Sequence, residues 1–123
     1  MMKQVLFVGV GGAAGSILRY LTNVVTAKYY AASFPLATFI VNIAGCFLAG
    51  LIFGLITQET TEAQNFKFLL ITGFCGGFTT FSAFALENVR LMNSGNTTIV
   101  VVYTIASIAA GLLAVWIGLV ITR

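Results

Sequence analysis

Four long apolar stretches constrain this sequence more than any other feature. They cover residues of about 4–27, 36–57, 66–92 and 97–122, and each reaches the roughly 20 residues that a helix needs to cross the hydrocarbon core of a bilayer. Only 7% of the 123 residues are charged, whereas soluble domains average roughly 25%. The sequence therefore predicts an all-α membrane protein in which residues 1–123 form a single domain of four transmembrane helices. No soluble domain remains to hold the active site of an enzyme.

The positively charged residues are divided almost evenly between the two ends of the predicted helices. With four spans, Lys3, Lys67 and Arg123 lie on one side of the membrane, and Lys28 and Arg90 lie on the other. Positive residues normally favour the cytoplasmic side, and three against two is almost no bias. The pattern fits insertion in both orientations, and hence an antiparallel dimer, or a modest bias that still sets one orientation. The net charge of +3 is too small and too scattered to indicate nucleic-acid binding.

The third stretch contains a segment that should interrupt its helix. The pair Gly76-Gly77 is followed closely by the β-branched pair Thr79-Thr80, and a helix is not expected to run undisturbed through such a sequence. In lipid, a broken helix persists only where the freed backbone groups are buried in protein or line a polar path. The segment is therefore predicted to be a broken helix and a site.

Two phenylalanines, Phe81 and Phe84, follow the predicted break, and Glu87 lies one turn further along. The edge of an aromatic ring carries positive partial charge, so two rings on one helix face can hold a small anion without a cation nearby. Phenylalanines at helical spacing also serve simply for packing. Backbone carbonyls freed around residues 76–80 can instead coordinate a cation, as unwound helices of transporters do. The residues alone leave these three interpretations open.

Arg19 lies well inside the first apolar stretch, whereas Arg90 lies near the end of the third. Arg19 lies one turn beyond Gly11-x-x-x-Gly15, a spacing of small residues that lets helix backbones approach closely in lipid. Arg19 is therefore predicted to point into the bundle, where a guanidinium is costly and is usually paired or functional. The structural alternatives are that it reaches the membrane interface or caps carbonyls of the broken helix.

Polar groups also occur in the second and fourth spans. Thr38 and Asn42 share a helix face with Gly45, and the amide of Asn42 either joins helices or offers its NH₂ group to an anion. In the fourth span, Tyr103 and Ser107 are one turn apart, so their hydroxyls can line a pore. Serine more commonly bonds back to its own helix.

The two cysteines, Cys46 and Cys75, lie within apolar spans, where no oxidising aqueous phase reaches them. They are predicted to act as small buried hydrophobic residues rather than as a disulfide. The chain has no histidine, and two cysteines alone make a poor metal site.

Three motifs are similar to those of the bacterial Fluc (CrcB) fluoride channels. They are Gly-x-x-x-Arg-Tyr at Gly15–Tyr20, Asn-x-x-Gly-x-Phe-x-x-Gly at Asn42–Gly50, and Gly-Phe-x-Gly-Gly-Phe-Thr-Thr-Phe-Ser-x-Phe at Gly73–Phe84. The resemblance covers nearly the whole chain. It implies a channel in the bacterial plasma (inner) membrane that exports cytoplasmic fluoride passively. It also implies an antiparallel dual-topology homodimer with two pores, although pairing with a dissimilar subunit is an alternative.

The resemblance further implies roles for particular residues. Ring edges and polar side chains would contact fluoride in each pore, namely Phe81, Phe84, Asn42, Tyr103, Ser107 and Thr38. The carbonyls of Gly76 and Thr79 from both subunits would hold a central sodium ion that is structural and not transported. Arg19 would lie near a vestibule, and Glu87 would lie toward a pore mouth.

The chain departs from the family pattern at three positions. Ala83 and Ala85 stand where the family usually has hydroxyl residues, and Gly111 stands where some members carry a serine. Either water completes the polar track, or one pore wall is degraded and a dissimilar subunit supplies the other.

Two other functions compete with a channel. A proton-coupled exporter of the small multidrug-resistance type needs a membrane-embedded carboxylate in its first span. Here only Glu87 is available, near a helix end. A non-transporting structural subunit would use its Gly-x-x-x-Gly faces for packing only, and it leaves the break at residues 76–80 unexplained. Flux coupled to pH would indicate the exporter, whereas flux along the fluoride gradient alone would indicate a channel.

Overall fold

The computed structural model describes all residues, 1–123, and consists of helices joined by short connections. Four helical stretches are long and apolar enough to cross a membrane: Met2–Tyr29, Leu36–Leu55, Thr61–Asn93 and Thr97–Ile121. The predicted all-α fold with four transmembrane helices is therefore confirmed. In order along the chain, the elements are α1 (Met2–Tyr29), α2 (Leu36–Leu55), α3 (Thr61–Lys67), a π-helical segment (Phe68–Cys75), α4 (Gly76–Phe78), α5 (Phe81–Asn93) and α6 (Thr97–Ile121).

Local sequence explains where the helices begin and end. Pro35 precedes α2, where its fixed φ and missing N–H cost nothing. The Thr60 side chain accepts a hydrogen bond from the Ala63 N–H at 3.2 Å, which caps the start of α3. Gly95, between α5 and α6, has a φ of 81° and is the only residue with a positive φ. Its position in a short turn is one that a side chain would strain.

Small residues set the contact between α1 and the third crossing. A Cβ at Gly11 would overlap the Leu69 carbonyl oxygen, and a Cβ at Gly15 would overlap the Phe74 carbonyl oxygen. In lipid, where hydrophobic burial does not drive helix association, this close backbone packing supplies much of the attraction. The predicted Gly11-x-x-x-Gly15 contact face is confirmed.

A second small-residue contact joins α2 to α6. A Cβ at Gly118 would approach the Phe47 carbonyl oxygen to 2.5 Å, and a Cβ at Gly50 would overlap the Val115 carbonyl oxygen. The subunit thus consists of two closely packed pairs, α1 with the first half of the third crossing and α2 with α6.

The surface of the subunit is overwhelmingly apolar. Only 15 of the 123 residues are buried, and large hydrophobic side chains remain exposed along all four crossings. Such a surface would be costly in water, but it matches the acyl chains of a bilayer. With the four crossings, this makes the chain a multi-pass membrane protein.

The third crossing contains a π-helical stretch that the sequence analysis did not predict. It runs from Phe68 to Cys75, and the N–H of Gly76 that follows bonds the Ile71 carbonyl five residues earlier. Such wide turns are rare and frequently occur at functional sites. Here the π-helical segment packs against α1, and the three residues of α4 separate it from the break.

Candidate functional site

The third crossing breaks at Thr79 and Thr80. Helix α4 ends at Phe78, Thr79 has φ −84° and ψ 158°, and Thr80 has φ −152° and ψ 119°. Both residues are extended, and α5 begins at Phe81. The Thr80 hydroxyl accepts a hydrogen bond from the Ala83 N–H at 3.2 Å, so the residue that ends the break also caps the next helix. The predicted broken third helix is confirmed.

The glycine pair contributes to the site differently from the prediction. Gly76 and Gly77 are helical, and neither has a positive φ, so the β-branched pair alone forms the break. A Cβ at Gly77 would lie 2.5 Å from the Gly12 carbonyl oxygen. Gly77 is therefore needed because α1 packs against its backbone, not because of its conformational freedom.

Asn42 of α2 holds the break from the opposite side. Its Oδ1 accepts a hydrogen bond from the Thr80 N–H at 2.7 Å, and its Nδ2 donates to the Thr80 carbonyl at 3.1 Å. One amide thus replaces both backbone partners that Thr80 loses where the helix is interrupted. Asn42 therefore joins α2 to the third crossing, which is one of the two roles considered for it. Because an NH₂ group has two hydrogens, one N–H remains available for another acceptor.

A cleft of about 290 Å³ opens beside the break, between α2, α5 and α6. No charged side chain lines it. Its lining residues are Asn42, Cys46, Thr79, Thr80, Phe81, Phe84, Ser107 and Ile108. The Ser107 Oγ atom is buried and has no hydrogen-bond partner, so this serine does not bond back to its own helix. A buried hydroxyl left unpaired is costly, and it offers its O–H to whatever enters the cleft.

The two phenylalanines of the cleft form a chain of rings with a tyrosine. The ring centroids of Phe81 and Phe84 are 5.7 Å apart with an angle of 39° between the planes. Those of Phe84 and Tyr103 are 4.9 Å apart at 59°. Phe81 is 78% exposed on the single subunit, whereas Tyr103 is completely buried. The ring chain therefore extends from the surface of the subunit to its core.

Thr38, Tyr103 and Glu87 form a separate cluster at the buried end of this chain. The Thr38 hydroxyl donates to Glu87 Oε2 at 2.9 Å, and the Tyr103 hydroxyl donates to Glu87 Oε1 at 3.1 Å. Each hydroxyl has a single O–H to donate, so in this arrangement both are spent on the carboxylate. Glu87 also borders a recess of about 510 Å³ between the α1–α2 and α5–α6 connections. The recess is lined by Ala32, Ser33, Phe34, Pro35, Glu87, Arg90, Leu91, Ser94 and Asn96.

Arg19 reaches the other side of the break, from α1. Its Nε donates to the Gly77 carbonyl at 3.0 Å. That carbonyl belongs to the last turn before the break, where helix carbonyls lack partners and a positive charge is favourable. Of the roles considered for Arg19, the cap on carbonyls of the broken helix is therefore the one present.

The carbonyls of Gly76 and Thr79 both lose their helical partners. The Thr80 N–H, which would bond the Gly76 carbonyl in a continuous α-helix, donates to Asn42 instead. The Ala83 N–H, which would bond the Thr79 carbonyl, donates to the Thr80 hydroxyl. Uncharged carbonyl oxygens suit a hard cation such as sodium, whereas no cluster of three or more His, Cys, Asp or Glu side chains is present for a transition metal.

The structure thus divides the predicted site residues into three groups. Asn42, Thr79, Phe81, Phe84 and Ser107 line the cleft. Thr38, Tyr103 and Glu87 form the carboxylate cluster. Arg19 contacts the break from α1, and Gly76 is exposed just before the break. Cys46 and Ile108 also line the cleft, although no role there was predicted for them from the sequence. Cys46 follows Asn42 by four residues, so helical spacing alone placed it on the same face.

These features define a class of protein. A small four-span membrane protein, with a discontinuous helix beside a largely apolar cleft that contains a few polar groups, has the architecture of channels and carriers. The family model described as CrcB-like protein, Camphor Resistance (CrcB), matches residues 6–119. The chain belongs to this family, as its three motifs predicted.

Relatives of this chain match it over nearly their full length. The fluoride-specific ion channel FluC of Flavobacterium psychrophilum is 48% identical over 122 residues, which are 99% of this chain and 98% of the relative. The protein of the same name from Azobacteroides pseudotrichonymphae is 43% identical over 123 residues, 100% of this chain and 98% of the relative. That of Pseudomonas putida is 42% identical over 100% of this chain and 99% of the relative.

Proposed function

We propose that this chain forms a fluoride-selective channel through which cytoplasmic fluoride leaves passively, down its own gradient. The observation that carries the proposal is the cleft in which Phe81 and Phe84 stand beside the unpaired Ser107 hydroxyl with no charged side chain in the wall. The full-length similarity to relatives named as fluoride-specific channels supports it. A channel breaks no covalent bond, so the chain is not an enzyme and has no catalytic residue.

A small, strongly hydrated anion gives up hydrogen bonds to water when it enters the cleft, and the cleft supplies other contacts in their place. The second N–H of Asn42 and the O–H of Ser107 are donors, and the edges of Phe81 and Phe84 carry positive partial charge. Each of these contacts is weak. Conduction needs sites that bind well enough to admit the ion and weakly enough to release it. A fixed cation in the wall would hold fluoride too tightly.

Glu87 would act as a gate between the cleft and the recess. Its carboxylate occupies the hydroxyls of Thr38 and Tyr103, and its negative charge opposes an approaching anion. Movement of the carboxylate toward the recess would free both hydroxyls to donate to fluoride. Arg19 would serve at a vestibule on the far side of the break, where its Nε is fixed by Gly77.

A second copy of the chain in antiparallel orientation would complete the pores. Phe81 is 78% exposed on one subunit, so most of its surroundings must come from a partner or from lipid. The nearly balanced charge at the two membrane faces fits two opposed copies in a bacterial inner membrane. The freed carbonyls of Gly76 and Thr79, a pair from each subunit, would then hold a structural sodium ion at the dimer interface. We favour the homodimer over pairing with a dissimilar subunit.

The test is fluoride efflux from liposomes that contain only this protein. An electrode follows fluoride, and chloride efflux is measured as the selectivity control. Phe81→Ile and Phe84→Ile should each reduce fluoride efflux sharply while the dimer persists on size-exclusion chromatography. Isoleucine fills similar space but has no ring edge. Phe53→Ile, at an exposed position of α2 outside the cleft, is the matched control and should leave efflux unchanged.

The outcomes separate the competing functions. Selective efflux without a proton gradient supports a channel formed by this chain alone. Efflux that requires a proton gradient supports the proton-coupled exporter. Unchanged efflux in both variants removes the rings from the mechanism. No efflux from the wild-type protein, with or without a co-reconstituted paralogue, contradicts the channel.

A further inference from the structure

Gly111 leaves a gap in the polar face of α6, and the thiol of Cys46 on α2 borders this gap. Gly111 follows Ser107 by one turn on the same face and is buried. A Cβ at Gly111 would meet the Cys46 Sγ atom at 3.6 Å and the Ile43 Cδ1 atom at 4.0 Å. The nearest group to the missing side chain is therefore the thiol of α2.

Two observations direct that thiol into the cleft. Cys46 lines the cleft, one turn beyond Asn42 on the same face of α2. Across from it, the buried Ser107 Oγ atom has no hydrogen-bond partner, which marks this part of the cleft as a place for a polar ligand. Asn42 and Cys46 of α2 thus face Ser107 and Gly111 of α6.

We propose that Cys46 is a further residue of the ion path, its thiol lying in the cleft beside the place that a side chain at position 111 would take. This inference rests on the proposed channel function. A thiol donates a weaker hydrogen bond than a hydroxyl and is larger. It both narrows the path and offers a weak S–H contact beyond Ser107. This placement makes fluoride conduction in this chain sensitive to modification of one sulfur atom.

Cys75 provides the matched control. It is only 4% exposed and does not line the cleft. Cys75→Ala therefore leaves Cys46 as the only thiol of the chain. The probe is methyl methanethiosulfonate, which is small and uncharged. The Cys46 thiolate attacks its sulfenyl sulfur, a mixed disulfide forms, methanesulfinate leaves, and the thiol proton passes to solvent.

The experiment measures fluoride efflux and labelling on the same liposomes. In the Cys75→Ala protein, one methylthio group per subunit should appear by mass spectrometry, and efflux should fall at least tenfold and recover with dithiothreitol. The Cys46→Ala, Cys75→Ala protein should conduct and should be unaffected by the reagent. Complete labelling of Cys46 with unchanged efflux overturns the proposal, as does labelling that occurs only after denaturation.

A second variant pair tests the exchange of side chains between the two helices. Gly111→Ser alone adds a side chain in contact with the thiol, which narrows the path there and should reduce efflux, whereas Gly111→Ser combined with Cys46→Ala should restore it. The two changes should be non-additive by about twofold or more in rate, as expected of residues in contact. Strict additivity of the two changes contradicts a contact between positions 46 and 111. If the wild-type protein conducts no fluoride at all, the channel function fails, whereas native-state labelling still reports whether Cys46 faces an accessible cleft.

Discussion

Replacement of Asn42 by alanine should destabilise the break in the third crossing. The substitution removes two hydrogen bonds, from the Thr80 N–H at 2.7 Å and to the Thr80 carbonyl at 3.1 Å. A typical hydrogen bond contributes about 0.5–1.5 kcal/mol net, so the two together predict a loss of about 1–3 kcal/mol. The lower end applies if water in the cleft replaces the amide, and the loss exceeds the upper end if both Thr80 groups stay unpaired in lipid.

The measurement is unfolding of the purified protein in detergent at one fixed protein concentration, because the stability of a dimer depends on protomer concentration. Asn23→Ala is the matched control. Asn23 is exposed, and its amide donates only to the Arg19 carbonyl of its own helix at 3.1 Å, so stability should change by less than about 0.5 kcal/mol, as for most surface substitutions.

Asn42→Asp separates the role of the amide in the fold from its role in conduction. Aspartate keeps an oxygen to accept the Thr80 N–H, but it cannot donate when ionised, and its charge opposes an anion in the cleft. We expect the ionised carboxylate to reduce fluoride efflux more than alanine does, while its placement in an apolar cleft beside the Thr80 carbonyl costs stability of its own. Equal stability of wild type and Asn42→Ala would refute the argument that this amide holds the break.

Two further substitutions test the packing and capping of the third crossing. Gly15→Ala should cost about 1–3 kcal/mol by overpacking, because its Cβ would overlap the Phe74 carbonyl oxygen. The control Gly9→Ala, with nothing within 4 Å of its Cβ, should be neutral in the same detergent unfolding assay. Equal effects of the two substitutions would contradict the close backbone contact. Thr80→Val should cost about 1 kcal/mol by loss of the α5 cap, whereas Thr80→Ser keeps a hydroxyl for the Ala83 N–H and should retain wild-type stability. Equal melting temperatures of the two variants would show that the cap is unimportant.

The hydropathy of the sequence was sufficient to predict the crossings and their number. A polypeptide in lipid must satisfy its backbone within each segment, so long apolar stretches have few alternatives to helices. The spacing of Gly11, Gly15 and Arg19 also sufficed to place them on one face that points into the bundle, because helical periodicity converts sequence spacing into direction. The family could be predicted from three motifs, because a motif is defined by the order of its residues and requires no structure.

Other features depend on contacts between residues far apart in the chain. The break lies at Thr79 and Thr80 rather than at the glycine pair because Asn42, some forty residues earlier, supplies partners for the Thr80 backbone. Gly77 remains helical where α1 packs against its backbone, and local helix propensity does not indicate such a contact. The π-helical segment before the break was likewise not predicted, since its wide turn has no simple sequence pattern.

The sequence by itself determined that the chain crosses a membrane four times, that its third helix is interrupted and which family it belongs to. These depend on local composition, helical period and motif order. Only the tertiary structure decided which polar groups are already paired and which are free. It joins Thr38 and Tyr103 to Glu87, leaves Ser107 unpaired, and brings Cys46 beside Gly111. Hydrogen bonds and contacts between helices are set by how the helices pack, and that packing is a property of the whole bundle.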